Sequence, residues 1–156
     1  MTDYTLLREQ LISLTEGVSD PVANLSNAAA LLYDTLDRIN WAGFYFLHGE
    51  TLILGPFQGK PACVKIPLGK GVCGTAAQTD ETLVVPDVHH FPGHIACDSA
   101  SNSEIVIPLR RDGKVIGVLD IDSPVFDRFT DDDRQGLERF AAETERLICF
   151  SARPSF

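Results

Sequence analysis

Glu104-Ile105-Val106-Ile107-Pro108-Leu109-Arg110-Arg111-Asp112-Gly113-Lys114-Val115-Ile116-Gly117-Val118-Leu119-Asp120-Ile121-Asp122 is the stretch on which the fold turns. Two runs rich in β-branched residues, 104–110 and 114–122, flank a turn, which is the signature of a hairpin. A two-residue turn at Asp112-Gly113 sets Glu104 opposite Ile121 and mixes acids with aliphatics on both faces. A three-residue loop, Arg111-Asp112-Gly113 with Gly113 in the left-handed position, sets Glu104 opposite Asp120. One residue of register decides every facing. The three-residue loop sorts the residues cleanly and is therefore expected. Ile105, Ile107, Leu109, Val115, Gly117, Leu119 and Ile121 then share an apolar face. Glu104, Val106, Pro108, Ile116, Val118, Asp120 and Asp122 share the other.

Working outward, Asn40-Trp41-Ala42-Gly43-Phe44-Tyr45-Phe46-Leu47 reads as an aromatic strand, and His48-Gly49-Glu50 turns it into a second strand over 51–54. Short strands follow at 64–66 and 82–85, on either side of a glycine-rich turn and short helix over 69–78. From Pro86 to Asn102 there is no periodicity, and a structureless loop of that length is usually functional. Leu7, Leu11 and Leu14 recur at helical spacing. So do Val22, Leu25, Ala29, Leu32 and Leu36, behind the cap Asp20-Pro21. A last helix is capped by Thr130, opens on Asp131, Asp132 and Asp133, and carries an apolar stripe from Leu137 to Ile148. The order predicts an α+β domain over 1–150 with a loose tail over 151–156. Its sheet is mostly antiparallel, the long terminal helices pack on one face, and the other face is left for a site.

Composition narrows the function. The chain has 156 residues, 44% of them apolar and 22% charged, as in ordinary globular domains. Its 22 acidic against 13 basic residues give a net charge of −9, a field that disfavours nucleic acid and anionic membranes. No apolar run approaches the roughly 18 residues of a membrane span. The first ten residues do not read as a secretory signal. The expectation is a cytoplasmic protein whose thiols are kept reduced.

The register gathers Glu104, Asp120 and Asp122 at one end of one face. Like charges at cross-strand distance repel, so the cluster calls for a cation, unless the three acids are simply solvated at a strand end. Trp41 and Tyr45 share a face by the strand period. Alone they read as core; beside carboxylates they suit an ammonium ligand with an apolar chain.

Cys63, Cys73 and Cys97 sit in loops or at element starts and read as accessible. Cys73 is placed where a helix dipole lowers a thiol pKa. Cys149 reads as a buried, inert thiol. The spacing of these cysteines with His89, His90 and His94 fits no standard zinc pattern, so no metal and no cofactor are expected. Cys97 with His94 as a hydrolase pair rests on weak geometry. Several thiols in one reduced domain favour redox chemistry, one attacking and another resolving.

Four segments join the hairpin in carrying a resemblance. They are Asn40 to Tyr45, Gly55-Pro56-Phe57-Gln58-Gly59, Gly69-Lys70-Gly71-Val72-Cys73-Gly74-Thr75-Ala76, and Ala96 to Val106. With Asp120-Ile121-Asp122-Ser123-Pro124 they resemble the free methionine-(R)-sulfoxide reductases, single-domain enzymes of the GAF fold. The resemblance implies Cys97 as nucleophile, Cys63 as the resolving cysteine that forms a disulfide with it, and Cys73 as a third redox cysteine. It implies a substrate pocket of Trp41, Tyr45, Glu104, Asp120 and Asp122, regeneration by thioredoxin, and a homodimer. Helix N-terminal amides around Val72 to Gly74 are an expectation from dipole logic for the substrate carboxylate. The alternative is a non-catalytic GAF module that senses a small molecule such as a nucleotide.

Overall fold

A computed structural model describes residues 1–95 and 99–148. Cys97 and Cys149 lie outside the described residues. A six-stranded sheet is ordered β3-β2-β1-β6-β5-β4, with every neighbouring pair antiparallel. The strands are β1 (Trp41–His48), β2 (Thr51–Gly59), β3 (Lys65–Pro67), β4 (Leu83–Val85), β5 (Ser103–Arg111) and β6 (Lys114–Ser123). Helices α1 (Tyr4–Thr15), α2 (Pro21–Thr35) and α4 (Asp131–Glu145) cover one face, and α3 (Gly71–Thr79) lies on the other. This is the expected layering.

Each sheet face has its own core. Leu7, Leu11, Leu25, Ala28 and Leu32 from α1 and α2, with Leu137 and Phe140 from α4, pack on Ile105, Ile107, Leu119 and Ile121. Trp41, Tyr45, Val106 and Val118 pack with Val72, Cys73, Ala76 and Ala77 of α3. Leu14 and Val22, expected in the helical stripes, are exposed, while Thr15, Asn24 and Ala28 are buried. The last helix ends at Glu145, earlier than its stripe suggested, and Leu147 and Ile148 are buried beyond it.

The decisive hairpin departs from the expected register. Arg111 pairs with Lys114 across a two-residue turn, with φ of 52° at Asp112 and 76° at Gly113. Both residues have the positive φ that a type I′ turn demands. A bulge then inserts Ile116 between the pairs Arg110↔Val115 and Leu109↔Gly117. Glu104 faces Asp122 rather than Asp120. The bulge moves the register by one more residue, so the two faces beyond it sort as expected. Only the bulge itself is exchanged: Val115 packs on the α3 side and Ile116 on the α1/α2/α4 side.

Strand β2 also runs further than expected. Gly55-Pro56 reads as a break, but the pair is absorbed as a bulge between Gly43↔Phe57 and Tyr45↔Leu54.

An ion cluster built on the buried Arg128 and Asp133, with the exposed Asp37, ties the helical layer to the segment after β6. Arg128 donates to Asp133 Oδ2 (3.0 Å), Asp37 Oδ1 (3.1 Å) and the Asp37 carbonyl (3.0 Å). Asp133 also accepts from Tyr4 and from both the backbone and hydroxyl of Thr130, its capping-box partner. Removing Arg128 strands the buried Asp133 carboxylate without its cation. Arg128→Ala should therefore cost roughly 3–5 kcal/mol in urea unfolding. A loss below about 1 kcal/mol, the usual value of an exposed pair, would contradict this account.

Candidate active site

Three cross-strand rows build the site on the α3 side of the sheet. Glu104, Asp122 and Trp41 form the first row across β5, β6 and β1. Val106, Asp120 and Gly43 form the second, and Pro108, Val118 and Tyr45 the third. Each strand thus alternates a wall residue with one that faces the helical core. Gly43 leaves room between the two aromatic rings. A Cβ there would lie 2.3 Å from Phe57 Cβ and 2.9 Å from the Trp41 ring. The Trp41 and Tyr45 rings stack with centroids 6.0 Å apart, and Trp41 stacks on Phe57 at 5.2 Å.

Helix α3 closes the pocket from above. Its approach depends on Gly74, where a Cβ would meet the Pro67 carbonyl at 2.4 Å. The helix lies flat on β5 and β6, and Cys73 is buried beneath it. The Cys73 Sγ is 3.9 Å from Glu104 Oε2. Here the sequence expectation is corrected twice. Cys73 is not accessible. Its thiol pKa is pushed up, first by burial and then by the charges of Asp120, Glu104 and Asp122, which outweigh the helix dipole. Of the amides from Val72 to Gly74, that of Gly74 alone is shown to be engaged, donating to the Lys70 carbonyl at 3.0 Å, and it drops out of the set expected for a substrate carboxylate.

Glu104, Asp120 and Asp122 come together as expected. The Glu104 pKa is raised well above the usual carboxyl range by burial and by the charges of Asp120 and Asp122. Asp120 is raised by burial, against the hydrogen bonds it accepts from its neighbours. Its Oδ1 is buried without a hydrogen-bond partner among the described residues. Such an arrangement favours keeping a proton within the cluster and leaves a buried acceptor free for a donor.

The raised carboxyl has a consequence for stability. In the unfolded chain Glu104 ionises near its ordinary value, about 4.3. The folded-state value is higher, so its contribution to stability is present below the ordinary value. That contribution is lost as pH rises through the folded value. Glu104→Gln should remove this loss, raise Tm at neutral pH and flatten the pH dependence above about pH 4. Scanning calorimetry from pH 4 to 8 tests it. An unchanged profile would mean that Glu104 carries no strained charge.

The aromatic walls also hold the turn that carries Cys63. Tyr45 Oη donates to the Cys63 carbonyl at 2.8 Å, and Trp41 Nε1 to the Lys60 carbonyl at 3.1 Å. Cys63 is disulfide-bonded, while Cys73 is a free thiol. The resulting cavity has a volume of about 50 Å³. Sequence reasoning missed Lys60, Lys70, Ile95 and Ser101, which line it. The Gly59-Lys60-Pro61 break after β2 is the signal that marks the first of these. His94 lines the pocket, and burial, followed by the charge of His89, holds its pKa below the usual imidazole range. His89 instead meets Asn102 at 2.8 Å, and His90 meets Asp87 at 2.8 Å, both outside the pocket.

Known proteins share this architecture. The GAF domain family matches residues 10–148. The free methionine-R-sulfoxide reductase of Escherichia coli (strain K12) is 55% identical over 145 residues, 93% of this chain and 88% of that protein. The structure of fRMsr of Staphylococcus aureus in complex with substrate matches with a TM-score of 0.90 at 56% identity, covering 96% of this chain and 97% of that one. Free methionine-R-sulfoxide reductase of Neisseria meningitidis, solved in complex with its substrate, matches with a TM-score of 0.89 at 44% identity, over 92% and 87% of the two chains.

Proposed function

The chain belongs to the GAF-domain family and groups there with the free methionine-R-sulfoxide reductases; on that premise we propose that it reduces free methionine-(R)-sulfoxide through its own cysteines. The observation that carries the reading is the buried carboxyl cluster facing an aromatic wall, with a disulfide-bonded cysteine tied to that wall.

In this reading the ammonium of the substrate is the donor that Asp120 lacks, with Asp122 beside it. The apolar chain lies against Trp41 and Tyr45. The Cys97 thiolate attacks the sulfoxide sulfur while Glu104 protonates the oxygen, which lowers the barrier to S–O cleavage. The protonated oxygen leaves as water, giving a sulfonium joined to Cys97 by an S–S bond; water then adds to the Cys97 sulfur, the S–S bond breaks with its electron pair on the methionine sulfur, and Cys97 is left as a sulfenic acid. The Cys63 thiol then attacks the Cys97 sulfur and water departs, leaving a Cys63–Cys97 disulfide. Thioredoxin supplies the dithiol that reduces it. Cys73 is held in reserve by burial and exchanges into the disulfide only when α3 or the Cys63 turn moves. A homodimer and a cytoplasmic setting complete the proposal. The described helices include none long and apolar enough to cross a membrane.

Racemic free methionine sulfoxide with a dithiol tests the reading. Consumption should stop near one half, because only the R sulfur presents its oxygen to Glu104. No consumption at all would favour the sensor alternative, in which a small molecule is bound and released unchanged.

A further inference from the structure

The reductase reading leaves one property of the pocket unused. Cys73 Sγ and one carboxylate oxygen each from Glu104 and Asp120 lie within 4.8 Å of one another, all on buried residues. We propose that these three donors form a binding site for a borderline-soft divalent cation such as Zn²⁺, and that the cation excludes the substrate. The inhibitory half of this proposal rests on the reductase reading; the metal site does not.

Zinc takes sulfur at about 2.3 Å and carboxylate oxygen at about 2.0 Å in a tetrahedron, so its sulfur and oxygen ligands sit about 3.5 Å apart. The 3.9 Å between Cys73 Sγ and Glu104 Oε2 requires only a small closure. Asp120 lines the same space and has in Oδ1 a buried oxygen that accepts no hydrogen bond among the described residues. No ion pair joins Lys60 or Lys70 to these carboxylates among the described residues. The fourth position is left to water. A thiolate with two carboxylates disfavours Mg²⁺ and Ca²⁺, which want six or more oxygens. Spacing along the chain hides the site, because Cys73 comes from α3, Glu104 from β5 and Asp120 from β6. On binding, the Cys73 thiol proton passes to solvent. The cation and the substrate ammonium both use Asp120, which lines the cavity, so each displaces the other.

Cd²⁺ is the probe, because a cadmium–thiolate bond absorbs in the near ultraviolet. The full-length Cys63→Ser/Cys97→Ser double variant keeps Cys73 and cannot turn over. Titration should develop the band at one equivalent. Adding Cys73→Ser should abolish it, and adding Asp120→Asn should weaken affinity at least tenfold. Saturating free methionine sulfoxide should raise the apparent Kd at least tenfold. Circular dichroism checks that each variant is folded. If the double variant fails to fold, the oxidised wild-type protein replaces it, since Cys63 is then tied up and Cys73 is free. No band, a band that survives Cys73→Ser, or an Asp120→Asn affinity equal to that of its parent overturns the site. Binding indifferent to the sulfoxide overturns the exclusion. A protein that reduces the sulfoxide but binds no Cd²⁺ overturns the metal proposal alone. Cd²⁺ binding by the double variant together with no sulfoxide reduction by the wild-type protein overturns the reductase reading alone.

Discussion

Cys97→Ser should form no methionine above background, with thioredoxin or with a small dithiol as reductant. A serine hydroxyl at neutral pH is almost wholly protonated, whereas a thiol is partly ionised and intrinsically far more nucleophilic. The expected loss is ~10³-fold or more. The informative control is Cys63→Ser. If Cys63 only resolves, that variant should still release about one methionine per subunit and then stop with thioredoxin as reductant. Its Cys97 should carry a sulfenic acid that a dimedone-type reagent traps for mass spectrometry. Turnover by Cys97→Ser would place the attacking sulfur elsewhere. A Cys63→Ser protein with no single turnover would place Cys63 in the first step.

The second large effect concerns what the pocket refuses. N-acetylation of methionine sulfoxide removes the ammonium and leaves the Asp120 acceptor without its donor. Stranding one partner of a buried charged pair costs roughly 2–5 kcal/mol, which corresponds to about two to three orders of magnitude in kcat/KM. Free methionine-(R)-sulfoxide should therefore outpace its N-acetyl derivative, and a sulfoxide within a peptide, by that margin. A peptide chain also meets α3 and the Cys63 turn, which close over the cavity. Comparable rates on a protein-bound sulfoxide would show the pocket to be open, whatever the cysteines do.

Much of this site is legible in the sequence, although the pairing register of the hairpin is not. The facing of Glu104, Asp120 and Asp122 followed from sorting apolar from acidic residues. That sorting is a property of strand parity. The two-residue turn plus the Ile116 bulge has the same parity as the three-residue loop, so the faces agreed while the pairs differed. Nothing distinguishes Val115 from Ile116 as the bulged residue, because both suit a strand equally, although the neighbouring Gly117 is the kind of residue that marks a bulge. Cys73 was misjudged for another reason. Glycine neighbours suggest a loop in solvent, but Gly74 also lets a helix descend to a carbonyl, and the same residues are then buried. Short-range pattern carries the element, whereas burial depends on what lands on top of it. The Gly55-Pro56 bulge in β2 hid itself in the same way, as residues that normally end a strand.

The two hydrogen bonds from Tyr45 and Trp41 to the Cys63 turn make the pocket wall and the redox loop one mechanical part. Any movement of that turn between dithiol and disulfide must carry the rings along or break those bonds. Substrate affinity and the midpoint potential of the disulfide are then two readings of a single coupling free energy. If the oxidised form binds methionine sulfoxide more weakly by some factor, the sulfoxide favours the dithiol by that same factor. A tenfold difference in affinity corresponds to about 30 mV in a two-electron couple. Waiting substrate would thus help to recharge the enzyme that consumes it, with the indole and phenol acting as the gear between the two.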